Sequence, residues 1–182
     1  MRIVGGLAKG RRLAAPASVT RPTSDQVRES LFNTLESRLR LADARVLDLF
    51  AGTGAVGLEA LSRGAAEAVL VEKDRRAVEV LRKNVATVGL PGATVVGRAV
   101  SAFLGGEPGE PFDLVFADPP YAIDAETFAG NLAQLGTWLA DGAYVVVEYG
   151  VRNDLGAACS TLLTSVLERR YGDTVLWYGR PR

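Results

Sequence analysis

Along the chain, short unbroken apolar runs alternate with segments whose apolar residues recur every three or four positions, a pattern that predicts strands and helices in turn. Strands are expected over 45–50, 68–71, 94–96, 112–117 and 143–149, and helices over 55–63, 74–88 and 125–139. An earlier helix is expected from Thr23: Thr23 and Gln26 have capping-box spacing, and Val27, Leu31, Leu35 and Leu39 follow every fourth residue. Two last strands, 165–171 and 174–178, flank the short turn Gly172-Asp173 and must run antiparallel. Apolar runs separated by helices imply a doubly wound α/β sheet, mainly parallel, with an antiparallel carboxy-terminal hairpin. The Gly105-Gly106-Glu107-Pro108-Gly109 stretch reads as a loop. Residues 1–22, with Gly5-Gly6, Gly10, Pro16 and Pro22 among basic residues, form an extended arm or short hairpin ahead of one domain over 23–182.

Composition narrows the chemistry. At 182 residues and 48% hydrophobic content the chain suits one domain with a full core. No apolar run approaches the roughly 20 residues of a membrane span, and the start lacks a secretory segment, so a cytoplasmic protein is expected. The lone Cys159 cannot form an internal disulfide, and the absence of histidine removes the usual zinc sites and histidine-based acid/base chemistry. No metal is expected. Net charge is zero but unevenly spread: residues 1–40 hold eight Lys/Arg against three Asp/Glu, or +5, leaving 13 against 18, or −5, for the rest. The basic residues are Arg2, Lys9, Arg11, Arg12, Arg21, Arg28, Arg38 and Arg40, and phosphate contacts from them would give salt-sensitive nucleic-acid affinity. A solvated surface with scattered arginines fits the charge equally well.

Two strand ends carry the chemistry. Gly52, Gly54 and Gly57 have the spacing G-x-G-x-x-G between an expected strand and helix, where backbone N–H groups can approach a ligand closely. Glu72, twenty residues after Gly52 at the end of the next strand, can accept hydrogen bonds from ribose hydroxyls. These features alone leave a nicotinamide dinucleotide possible. Asp48, four residues ahead of the first glycine, argues against it, because a carboxylate there repels a pyrophosphate and attracts an α-ammonium. S-adenosylmethionine, with a ribose, an ammonium group and no phosphate, fits better.

Asp118-Pro119-Pro120-Tyr121 ends another apolar run, seventy residues after Asp48. The exocyclic amine of guanine or adenine is a poor nucleophile because its lone pair is delocalised into the ring. The Asp118 carboxylate and the Pro119 carbonyl could each accept one amine hydrogen and so localise that pair. Tyr121 could stack on a flipped-out base, a contact of about 1–3 kcal/mol. The two loops together read as methyl transfer to a nucleobase amine.

With these residues in place, the chain resembles class I methyltransferases of the amino-methylating group. More narrowly it resembles the bacterial RsmD-type enzymes, which methylate the 2-amino group of a guanine in small-subunit (16S) ribosomal RNA. The resemblance rests on the two loops, on Arg2-Ile3-Val4-Gly5-Gly6 with Lys9-Gly10-Arg11, on Arg21-Pro22-Thr23 before Arg28-Glu29-Ser30-Leu31-Phe32-Asn33, and on Arg170-Tyr171-Gly172-Asp173. It implies S-adenosylmethionine contacts from Asp48, Phe50, Gly52, Gly54, Glu72 and Thr23, and catalysis by Asp118, Pro119 and Tyr121. It also implies RNA docking by the arm through Arg2, Lys9, Arg11, Arg12 and Arg21, and a monomer acting on assembled or partly assembled ribosomal particles. One position departs from the family: similar proteins carry an acidic residue after the third strand for the cofactor adenine, and Arg98-Ala99-Val100-Ser101 has none. A backbone carbonyl or Ser101 would have to substitute. Three rivals remain open: an adenine-amine methyltransferase, a nicotinamide-dependent oxidoreductase, and a non-catalytic RNA-binding assembly factor.

Overall fold

Val46, Leu47, Ala68, Leu70, Val115 and Val145 to Val147 are all fully buried, so the strands that contain them must be covered on both faces. The structure, a computed structural model, describes residues 1–15, 24–153 and 155–182. Its elements run α1 (Asp25–Glu36), β1 (Arg45–Leu49), α2 (Ala55–Ser62), β2 (Glu67–Val71), α3 (Arg75–Val88), β3 (Ala93–Val96), α4 (Val100–Leu104), β4 (Phe112–Ala117), α5 (Ala125–Ala133), β5 (Leu139–Gly150), α6 (Gly156–Leu162), β6 (Leu163–Tyr171) and β7 (Thr174–Pro181). They build one sheet in the order β3-β2-β1-β4-β5-β7-β6. β1 to β5 pair in parallel, and β7 runs antiparallel to both β5 and β6, as the two-residue turn at Gly172-Asp173 requires. The strand order reverses between β1 and β4. In open α/β sheets ligands bind outside the carboxyl ends of the strands at that switch.

Side chains alternate across the sheet and divide the interior in two. One core packs Val46, Leu70, Phe116 and Val146 against Leu31, Phe32 and Leu35 of α1, Leu58 of α2 and Leu81 of α3. The other packs Leu47, Val69, Val115 and Val147 against Leu104 of α4, Phe128 and Leu132 of α5 and Cys159 of α6. No helix of the described residues is long and apolar enough to cross a membrane.

Local rules explain where the elements depart from expectation. The cap of α1 is Ser24, whose hydroxyl accepts from Val27 N–H at 3.2 Å; the expected cap, Thr23, lies outside the described residues. Leu39 falls beyond the end of α1 at Glu36. The helix expected over 125–139 stops at Ala133 and continues only as a 3-10 turn, Gly136–Trp138. The short α4 and α6, of five and seven residues, are too brief to leave a helical period in the sequence.

Residues 1–15 fold back on themselves: Ile3 N–H donates to the Arg11 carbonyl, Gly10 N–H to Ile3, and Leu13 N–H to Met1. Ile3, Ala8 and Leu13 enter the first core. The Glu59 carboxylate of α2 accepts Val4 N–H at 2.8 Å and Gly5 N–H at 2.7 Å, while the Ser62 hydroxyl accepts Ala8 N–H at 2.8 Å and donates to the Gly5 carbonyl at 2.6 Å. Gly6 makes this approach possible: its φ is 72°, and a Cβ would stand 1.8 Å from the Ser62 carbonyl oxygen.

This packing corrects one reading of the basic patch. Arg28 is fully buried at 0% exposure, pairs with Asp25 at 2.8 Å and Glu59 at 3.7 Å, and donates to the Arg2 carbonyl. It cannot reach a phosphate.

Candidate active site

The G-x-G-x-x-G loop owes its shape to two positive-φ glycines and two close approaches. Gly52 and Gly54 take positive φ, 54° and 77°, which leads the chain from β1 into α2. A Cβ on Gly54 would meet Leu81 of α3 at 2.2 Å, and one on Gly57 would meet Leu70 of β2 at 2.2 Å. Phe50, without a glycine's freedom, also sits at φ 61°; strain of that kind gathers where a fold holds a ligand.

Asp48 lies inside β1 with 2% exposure, and its carboxylate accepts Gly57 N–H at 3.0 Å. Burial pushes its pKa up to about 7, against the lowering effect of Gly57 N–H and with a further rise from the Glu72 charge. Glu72, just past β2, accepts Gly52 N–H at 2.9 Å with one oxygen and Asp74 N–H at 2.8 Å with the other. It therefore shapes the loop as well as offering its remaining lone pairs to a ligand. Asn84 of α3, which sequence reasoning missed, is buried and donates to the Thr53 carbonyl at 2.9 Å while exchanging two hydrogen bonds with Ala14. Its amide ties the amino-terminal hairpin to the glycine loop. The available signal was a polar residue within the amphipathic period of α3.

Across the switch point, Asp118 follows β4 and lines an inner cavity with Pro119, Tyr121, Glu148, Gly150 and Leu155. Asp118 is half-buried, and its pKa is raised well above the ordinary carboxylate range, first by burial, then by the Glu148 and Asp48 charges. Pro119 is buried, and Pro120 closes the turn by accepting Ile123 N–H at 2.9 Å. Asn153 braces the loop, its side-chain amide 3.3 Å from the carbonyls of both Tyr121 and Ile123. Tyr121 is 63% exposed at a cleft of about 400 Å³ lined by Gly150, Val151, Arg152, Asn153 and Asp173. Its ring fits against β5 because residue 150 is glycine: a Cβ there would lie 2.7 Å from Cε1 of Tyr121. An exposed aromatic face beside buried acceptors suits a planar base that carries hydrogen-bond donors.

Asp48, Phe50, Gly52, Gly54, Glu72, Asp118, Pro119 and Tyr121 thus share the carboxyl edge of a single sheet. Arg2, Lys9, Arg11 and Arg12 are exposed on the amino-terminal hairpin. Arg2 leans 3.6 Å from Asp25, and Arg11 donates to the last carbonyls of α3, Thr87 and Val88, so the two are partly engaged within the chain. Arg21 and Thr23 lie outside the described residues. Ser101, the candidate for the missing adenine acceptor, is exposed in the first turn of α4.

Comparison with known proteins shows the family and the fold. The model of a family described as conserved hypothetical protein 95 matches residues 1–180. The chain is 46% identical over 156 residues to ribosomal RNA small subunit methyltransferase D of Escherichia coli K12, covering 85% of this chain and 77% of that protein. Among solved structures, a hypothetical protein of Thermus thermophilus matches with a TM-score of 0.85 at 41% identity, covering 99% of each chain. The Escherichia coli protein yhhF matches with a TM-score of 0.83 at 38% identity, covering 100% of this chain and 98% of that one.

Proposed function

The chain belongs to the family described as conserved hypothetical protein 95, and from that premise we propose that it methylates the exocyclic 2-amino group of a guanine in small-subunit ribosomal RNA. It is a methyltransferase with the class I sheet, and S-adenosylmethionine is the methyl donor that goes with that fold. The relative's name supports ribosomal RNA as the substrate. The observation that carries the reading is Asp118: a carboxyl group at the end of β4, in a cavity with Pro119, opening toward the exposed ring of Tyr121 and next to the glycine loop.

The donor set fits the cofactor. Glu72 and the glycine loop suit a ribose and a main chain held close, and the buried Asp48 carboxyl suits an ammonium group. When bound, S-adenosylmethionine supplies an electrophilic methyl group. The chain does the rest. Asp118 and the Pro119 carbonyl accept the two amine hydrogens and localise the nitrogen lone pair, and Tyr121 holds the base by its face. The methylated nitrogen is acidic enough to lose its proton to Asp118 or water, so no histidine is required. Arg2, Lys9, Arg11, Arg12 and Arg21 contribute sequence-independent phosphate contacts, which weaken as salt rises. We place the enzyme in the cytoplasm as a monomer acting on assembled or partly assembled particles.

The test is transfer of radiolabelled methyl from S-adenosylmethionine to small ribosomal subunits lacking guanine-N2 modifications, beside naked RNA and duplex DNA. Label on one guanine N2 with wild type and none with Asp118→Ala is the expected result. Cofactor binding with no label on any substrate would overturn it.

A further inference from the structure

Glu148 was not singled out by its sequence, yet it is buried against the cavity. The run Tyr144-Val145-Val146-Val147-Glu148-Tyr149 is buried throughout, and Glu148 itself is only 8% exposed. The parallel ladder between β4 and β5 ends at Phe116 beside Val146 and Ala117 beside Val147. Asp118 and Glu148 come next along their chains, so both side chains leave on the face of Phe116 and Val146, from backbones about 5 Å apart. On the other side Glu148 faces the buried Leu176 of β7. Asp48, beside Phe116 in register, lies on the same face.

Among the described residues, two carboxyl groups line one cavity together with an aromatic ring, and no lysine or arginine lines it. Their mutual repulsion contributes to the raised pKa of Asp118. A ligand that relieves this arrangement must bring several N–H donors on one planar edge. Guanine has them: its 2-amino group adjoins N1–H, giving three hydrogens on one edge. Adenine presents its amine beside N1, which is an acceptor and would face the carboxylate lone pairs. Resting on the guanine reading given above, we propose that Glu148 accepts N1–H of the same guanine whose amine is held by Asp118 and Pro119, and so selects guanine over adenine.

A site built to bond a substrate N–H discriminates strongly against the analogue that lacks it. 2-Aminopurine keeps the 2-amino group but has an acceptor at N1, so it reports on the Glu148 contact. The experiment compares methyl transfer to small subunits reconstituted with guanine or 2-aminopurine at the position that wild type labels, using wild type and Glu148→Gln. Denying the buried Glu148 acceptor that N1–H donor should make wild type prefer guanine by about 100-fold in kcat/KM. Glutamine can donate to N1 of 2-aminopurine, so Glu148→Gln should reduce that preference at least tenfold, about 1.4 kcal/mol, while S-adenosylmethionine affinity stays unchanged. Equal use of the two bases by wild type, a comparison that needs no variant, would overturn the inference, as would an unchanged ratio in Glu148→Gln. Absence of label on any guanine with wild type would instead overturn the underlying reading, and this inference with it.

Discussion

Two groups of carboxyls are buried on the same face of the sheet, and they are treated in opposite ways. Under the amino-terminal hairpin, Glu59 at 0% exposure lies between two arginines, Arg63 at 2.9 Å and Arg28 at 3.7 Å, and accepts two backbone N–H groups. At the carboxyl edge of β1, β4 and β5, the pKa of Asp118 is raised first by burial and then by the charges of Glu148 and Asp48. Buried charge is tolerable when compensated. Glu59 is compensated by the chain and pins the hairpin down. Asp118, set among like charges, is placed for donors that a ligand brings, which is what a site for an ammonium-bearing cofactor and an amine-bearing base requires. Burial alone does not separate scaffold from site; the sign of the neighbouring charges does.

Crossed substitutions break the comparison most sharply. Asp118→Ala should lower methyl transfer by about 10³-fold, in the range for losing a key polar contact in the transition state, and leave the urea midpoint unchanged or raised because it relieves repulsion. Glu59→Ala should do the reverse: about 3–5 kcal/mol of stability is lost in urea melts, because two arginines lose their partner, while the residual folded enzyme keeps its affinity for S-adenosylmethionine. Tyr121→Ala should cost about 1–3 kcal/mol of base stacking, or roughly tenfold to a hundredfold in kcat/KM, with no change in melting because the ring is largely exposed. The remaining effect is electrostatic. Asp48 titrates at about 7 in the folded chain against an ordinary value of 3.8, so folding binds its proton more tightly. That contribution to stability is complete below about pH 4 and is lost as pH rises through 7. Urea melts across pH 4 to 8 should show this decline in wild type, and a shallower one in Asp48→Asn.

Much of the active edge was legible because parallel strands buried on both faces appear as unbroken apolar runs, and the reactive residues stand where those runs stop. Asp48, Gly52, Glu72 and Asp118 could be assigned to one edge on that basis. Glu148 lies inside a run, as Asp48 does, but no glycine loop or Asp-Pro-Pro-Tyr turn follows it, so it escaped; only the register with β4 brings it beside Asp118. Arg28 was misread for the opposite reason: a count of positive charges does not distinguish exposed Arg12 from an arginine buried under Glu59. Asn84 depends on two segments meeting, Ala14 and Thr53, which are 39 residues apart in sequence. Contacts of that range leave no local period to read.

The contrast between a carboxyl held by arginines and one set among like charges is tested most directly by titrating the Asp118 carboxyl carbon by NMR in wild type and in Glu148→Gln. The account predicts a midpoint well above the ordinary carboxylate range in wild type and a clear fall once the neighbouring charge is removed. A midpoint near 4 in wild type, unmoved by Glu148→Gln, would contradict it.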